Sequence, residues 1–355
     1  MRIQSVFSEA WRNLFFGTAK PALFASLVAV IASVLGILDV SAIARVDDVA
    51  QQFQAAAANI RGIAAEGRID PTACDALGGT PSIAAAGGLS IGEPLLLDAS
   101  PLTQLHTYRV TPGFGALIGV DPDTTGGVWV EAGLASALGL QVGTIMPTEH
   151  DELTVTALYE WPNDGRDARL SFTILIPESS VRLLDECWMS SWPVLPANDD
   201  LLRNVALVAP GSQASMPVVQ LNKSFGVAYN ANEEFAARVT AEIRWIALLA
   251  GLAVGVVAVL RRRIEYAAAL HAGQDRVSHL LTVVLETMVW AGAGTILGSV
   301  ACLFAAQLSG VNDWLTTWLV VVRSPLLAFV GALCGVIAGS FVIKERLLFH
   351  YFRQR

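Results

Sequence analysis

The sequence predicts a membrane protein with four transmembrane α-helices and an α+β extracytoplasmic domain inserted between helices 1 and 2. Three observations predict it. Of 355 residues, 54% are apolar and only 15% are charged, against about a quarter charged in an ordinary soluble domain. Four segments are long and apolar enough to cross a hydrocarbon core of about 30 Å. Basic residues gather at the ends of those segments, whereas the long insert is acidic. Residues 46–241 hold 9 Lys and Arg against 23 Asp and Glu, a net of −14, and the remainder carries +6. This composition excludes disordered, collagenous, coiled-coil and disulfide-miniprotein classes. A net charge of −8 excludes a nucleic-acid partner.

Residues 1–20 form an amphipathic helix on the cytoplasmic face. Ile3, Val6, Phe7, Ala10, Trp11, Leu14 and Phe15 share one side, and Ser5, Glu9, Arg12 and Asn13 the other, a pattern suited to the membrane–water interface and to contact with membrane lipid. The first span is 21–44, interrupted by Asp39 near its far end. It exceeds a signal-peptide core and lacks a cleavage site, so it is read as retained. The second span is 243–260. Residues 261–276 are too polar to span and form a short cytoplasmic coupling helix that stops at Gly273. The third span is 277–306, with Glu286 inside it. A short outside loop, 307–317, leads to the fourth span, 318–343, and 344–355 form a cytoplasmic tail.

Orientation follows from Lys and Arg placement. Arg2, Arg12 and Lys20 precede the first span; Arg261, Arg262, Arg263 and Arg276 separate spans two and three; Lys344, Arg346, Arg353 and Arg355 follow span four. Both termini are therefore placed in the cytoplasm of a plasma-membrane protein, with 45–242 outside. Small residues recur at four-residue spacing as Gly251 and Gly255, Gly294 and Gly298, and Gly331, Gly335 and Gly339. Such stripes let helix backbones approach closely in lipid.

Within the insert, 46–66 read as a helical stalk continuing span one, and 232–244 as a second stalk leading into span two. Strands are predicted at 106–111, 126–131, 153–161, 171–177 and 204–210, where β-branched and aromatic residues lie between turn formers. Helices are predicted at 131–139, 179–188 and 212–224, and a Gly/Ala/Pro-rich loop at 78–94. Cys74 and Cys187 are the pair outside the spans, and in an oxidising compartment they form either a disulfide or two buried thiols.

Catalytic chemistry is sparse. No lysine follows a phosphate-loop glycine pattern, so ATP and its magnesium are not bound by this chain through that motif. The histidines, His106, His150, His271, His279 and His350, have no metal-ligand spacing. Gly88-Leu89-Ser90-Ile91-Gly92 fits G-x-S-x-G, but Glu93-Pro94 follows where a nucleophile elbow needs a helix. Asn222-Lys223-Ser224 fits a glycosylation sequon. Glu286 is read as pairing with nearby arginines rather than relaying protons, since no second carboxylate continues a path.

The whole arrangement resembles the FtsX/MacB-like permeases of ABC transporters. Arg262, Glu265, Gly273 eight residues later and Glu286 thirteen after that match the family's cytoplasmic signature. The stretch from Tyr108 and Pro112 through VWVEAGLASALGL, Gly143, TVTALYEW and a closing strand resembles its periplasmic core domain. Leu270 and His271 depart from the usual residues. The resemblance implies a non-enzymatic subunit, paired with a copy of itself or a related permease and with a separate ABC-type ATPase that binds ATP and magnesium. It implies mechanotransmission, in which ATPase closure moves the outside domain to export or extract a peptide, lipid or lipoprotein. The alternative it implies is a regulatory subunit that activates an extracytoplasmic partner such as a cell-wall hydrolase. In either case Arg262, Arg263, Glu265, Gly273 and Arg276 are the residues expected to couple to the ATPase, with Ile264, Ala267, Ala268 and His271 as the packed face.

Overall fold

The computed structural model describes residues 3–16, 19–97, 100–124, 126–148, 152–179, 182–207, 216–226, 229–310 and 314–343. The tail 344–355, His150, His350 and parts of the expected elements 204–210, 212–224 and 307–317 lie outside the described residues. The chain divides into two compact units, one of Met1–Asp48 with Asn232–Arg355 and one of Val49–Ala231.

The first unit is helical. It contains α1 (Ile3–Phe15), most of α2 (Pro21–Ala55), α6 (Ala231–Ala237), α7 (Ile243–Arg261), α8 (Arg263–His271), α9 (Arg276–Leu308) and α10 (Trp314–Val342). Four of these helices, α2, α7, α9 and α10, are long and apolar enough to cross a membrane. The glycine stripes sit where the helices meet. A Cβ added at Gly251 or Gly255 of α7 would strike the carbonyls of Ala328 and Ala332 on α10. Gly331 and Gly335 of α10 reciprocate against the carbonyls of Leu248 and Leu252, and Gly339 approaches Val259 less closely. Gly294 and Gly298 of α9 play the same part against Ala25, Val28 and Ala32 of α2. Lipid tails are as apolar as leucine, so close van der Waals packing is what drives such helices together. The carboxylate of Asp39, within α2, is 3.2 Å from the guanidinium of Arg238, which follows α6, and both side chains are buried.

The second unit is built on a nine-stranded mixed sheet. Its strands are β1 (Ile60–Ile69), β2 (Ile83–Ile91), β5 (Thr107–Val110), β6 (Val128–Glu131), β7 (Ile145–Pro147), β8 (Glu152–Tyr159), β9 (Ile174–Pro177), β10 (Leu184–Ser191) and β11 (Val219–Gln220), and their spatial order is β11-β1-β10-β2-β5-β9-β6-β8-β7. A separate hairpin pairs β3 (Leu95–Leu97) with β4 (Ser100–Leu105). Short helices α3 (Pro71–Ala76), α4 (Ala132–Leu138) and α5 (Pro196–Asn204) connect the strands. Asp70 caps α3 by accepting from the Thr72 and Ala73 N–H groups, and Glu131 caps α4 through Leu134. Cores form around Phe114, Trp129, Tyr159 and Leu175, and around Ile63, Ile69, Met189 and Leu202.

Several expected elements are different in the structure. The 46–66 stalk stops early: α2 ends at Ala55, Ala57 turns the chain with φ +55°, and 60–66 belong to β1. Arg166 and Asn222 donate to the carbonyls of Ala55 and Ala56, satisfying the end of α2 at that point. The 232–244 stalk breaks at 238–242, between α6 and α7. The expected loop 78–94 contains β2, whose small residues are a packing requirement rather than a turn signal. A Cβ at Gly87 would collide with the backbone of Phe114 in the 3₁₀ segment crossing it. The second half of the expected helix 179–188 is the start of β10, because pairing with β1 on one side and β2 on the other overrides its weak local preference. Residues 204–205 finish α5 and Ala206 makes only an isolated bridge to Ile69; in 212–224 the described part holds β11.

Cys74 of α3 and Cys187 of β10 are joined by a disulfide, with Cα atoms 6.0 Å apart, 113 positions apart in sequence and fully buried. Removing a native bridge from a small domain costs about 2–5 kcal/mol, more for long loops. The double variant Cys74→Ala/Cys187→Ala is therefore expected to unfold the sheet domain at a markedly lower urea midpoint in the full chain. An unchanged midpoint under non-reducing conditions would show that the cross-link carries no stability.

Candidate coupling site

The sequence-predicted coupling residues lie around the junction of α7 and α8. Arg262 sits between the two helices, its N–H bonded to the Val259 carbonyl. Its guanidinium makes three contacts. Nε donates to Glu265 at 2.8 Å, Nη1 donates to Glu286 of α9 at 2.5 Å, and the group lies 4.8 Å from the centre of the Tyr266 ring. Glu286 is 2% exposed, and its second oxygen accepts from Asn13 of α1 at 2.7 Å. Gln274 reaches Glu9 at 3.5 Å, a second polar link to α1. The Tyr266 ring stands edge-on to His279 at 4.6 Å, and burial pushes its phenol above the ordinary pKa.

Three of the four signature residues thus converge on one guanidinium: Arg262 itself, Glu265 and Glu286. Gly273 serves differently. Its φ is +88°, it follows the last turn of α8, and a Cβ there would meet nothing within 4 Å. Space is available, so a substitution would be opposed by backbone conformation rather than by bulk. Asp275 then caps α9 through the Ser278 N–H. Asn13 was not singled out by sequence. Its signal was available: a polar side chain on the minority face of an amphipathic helix, in a chain with an intramembrane glutamate whose second oxygen needs a donor.

The expected packed face of α8 needs correction. Ala267 is fully buried and Ile264 half-buried inside this chain, while Ala268 and His271 are exposed. The residues exposed on α8 and just after it include Glu265, Ala268, His271 and Ala272. Arg263 is half-buried at the start of α8, and Arg276 begins α9 outside the Arg262 cluster.

Other candidates do not assemble into chemistry. Ser90 lies in β2, 8% exposed, with no helix after it. Asn222 is fully buried and donates to Ala56 and Asp164, so its amide is not available to a glycan. No group of metal-ligating side chains exists among the described residues. Asp75 accepts from Thr111 and Gly113, yet burial raises its pKa above the usual carboxylate value. A groove of about 430 Å³ in the sheet domain is edged by Arg166 and Arg169, but these are already paired with Asp164 and with Asp167 and Glu186.

Removing one partner of a buried ion pair strands the other charge, at about 3–5 kcal/mol. Arg262→Met is accordingly expected to lower the thermal midpoint of the helical unit in lipid nanodiscs far more than Arg261→Met. Equal, small shifts for the two variants would mean that Glu286 is not held by Arg262. Gly335→Leu is expected to separate α7 from α10, read as loss of cross-linking between cysteines introduced at Leu252 and Ala332. Retained cross-linking would show that the stripe is not a contact.

No family model matches the chain, and no curated protein does. Among solved structures, it is similar to the periplasmic region of MacB from Actinobacillus actinomycetemcomitans, at 9% identity and a TM-score of 0.36, covering 49% of this chain and 94% of that one. It is also similar to a domain of a putative permease protein from Porphyromonas gingivalis, at 13% identity and a TM-score of 0.33, covering 47% of this chain and 92% of that one.

Proposed function

We propose that this chain is a permease-type membrane subunit of an ABC transporter, working with a separate ATPase that binds ATP and magnesium. It pairs with a copy of itself or a related permease in the plasma membrane, with both termini cytoplasmic and the sheet domain outside. Its role is to turn ATPase closure into movement of that domain on a peptide, lipid or lipoprotein. Four observations support the reading: the apolar helices, the acidic insert between the first two of them in chain order, the basic segments flanking them, and the signature residues gathered at Arg262.

The observation that carries it is the Arg262 cluster. A helix meant only as a connecting loop needs no buried charge pair to its neighbours. Here Arg262 holds the start of α8 to Glu286 of α9, and Glu286 holds Asn13 of α1. A push on the exposed face of α8 therefore reaches two further helices through charge-assisted hydrogen bonds, which are stronger than neutral ones. Gly273 and the Asp275 cap let α8 reverse into α9 without a long flexible link.

The chain purified alone should hydrolyse no ATP, and mild-detergent affinity purification from its own host should bring down an ATPase subunit. Charge reversal of the exposed Glu265, Glu265→Lys, should leave insertion and co-purification intact while uncoupling hydrolysis from movement of a fluorophore on the sheet domain. Steady hydrolysis by the lone chain, or full coupling in Glu265→Lys, would contradict the reading.

A further inference from the structure

The chain passes between the two compact units twice, at Asp48–Val49 inside α2 and at Ala231–Asn232 at the head of α6. The two passages are built differently. α2 runs through the first without a break, as one helix of 35 residues. In the second, no residue of α6 is buried, the helix ends at Ala237, and a run of turns at 239–242 precedes α7. Val239 in that run is fully exposed. Backbone bonds from Ala241 to Arg238 and from Ile243 to Thr240 close the turns. Yet Thr240 Oγ1 and Arg244 Nε, in the run and just after it, are buried without a hydrogen bond. Stranded polar atoms raise the energy of this arrangement and so lower the cost of rearranging it.

One contact ties the two passages together. Arg238, between α6 and the turns, places Nε 3.2 Å from Asp39 of α2, and both side chains are 7% exposed. Its Nη1 donates to the Phe235 carbonyl at 2.6 Å, and the guanidinium lies 4.0 Å from the Phe235 ring centre, so the same group also closes the end of α6. Asp39 is the one charged residue between Pro21 and Ala44. A carboxylate in an apolar span needs a partner, and an apolar pair of similar volume is often no less stable. Stability alone therefore does not account for these two residues.

We propose that Asp39 and Arg238 form a latch between the two passages. Closed, the ion pair makes α6 follow α2, and both passages carry movement as one body. Open, α6 turns about 239–242 while α7 keeps its packing on α10 through Gly251 and Gly255. Opening strands two buried charges, so the latch yields to a load on the sheet domain rather than to thermal motion. Its use in transmission rests on the function proposed above; the latch itself is a property of this chain alone.

The test is hydrogen exchange of the full chain in nanodiscs, without an ATPase, followed over 234–243, α7 and the sheet strands. Arg238→Gln should speed exchange at 234–243 at least about tenfold, well within what a stranded buried charge costs, and leave α7 and the strands at the native rate. Asp39→Asn should do the same, and Arg238→Lys, which keeps the charge, should stay near the native rate. Native exchange in both Arg238→Gln and Asp39→Asn, faster exchange spread evenly through α7, or Arg238→Lys as fast as Arg238→Gln would overturn the latch. The expected rates in a chain that recruits no ATPase would sink the proposed function and leave the latch standing.

Discussion

An ion pair placed among apolar helices constrains everything around it. The side chains of Arg262 and Glu286 are 12% and 3% exposed, and neither can be left alone without a large desolvation penalty. The pair fixes the start of α8 against α9, and the remaining oxygen of Glu286 fixes Asn13 of α1. Tyr266 covers the guanidinium, and His279 supports the far edge of Tyr266. Three helices and the turn between two of them are thereby held in one relationship. Replacing such a pair by apolar residues of similar volume is often neutral for stability. Its presence is better understood as fixing geometry, which a loop serving only to satisfy topology does not require.

The helices around that junction are held by a different force. Glycine at the contacts of α7 with α10, and of α9 with α2, removes the side chains that would keep the backbones apart. The sheet domain uses the same device, as where Gly87 lets a 3₁₀ segment cross β2 and where Gly127 and Gly113 approach the carbonyls of Thr154 and Ala86. It then adds a covalent link from α3 to β10. The two units thus differ in what they add to close backbone packing: a charged junction in the helical unit, and a nine-stranded sheet with a disulfide in the other.

What could be read from the sequence follows from how local each cause is. Hydropathy alone located the four apolar helices, because composition over about twenty residues decides them. The pairing of Glu286 with an arginine was legible because a lone carboxylate in an apolar span needs one. The identity of Asn13 as the second partner was not, since it depends on α1 packing against α9. Strands β6, β8 and β9 were legible from alternating β-branched residues, whereas β2 and β10 were not. β2 is written in Ala and Gly because neighbours press on it, and β10 is a strand only because strands lie on both sides. The exposed face of α8 was misjudged for a related reason: Ala267 and Ala268 are chemically identical, and only tertiary packing buries one of them.

The central claim is that Arg262 and Glu286 act as one unit that transmits movement rather than as two stabilising residues. A double-mutant cycle tests it directly, with Arg262→Met, Glu286→Leu and the pair measured for thermal stability in nanodiscs and for ATPase-driven movement of the sheet domain. The account predicts that each single variant is destabilised, that the double variant regains near-native stability, and that the double variant still fails to move the domain. Additive losses of stability, or restored movement in the double variant, would contradict it.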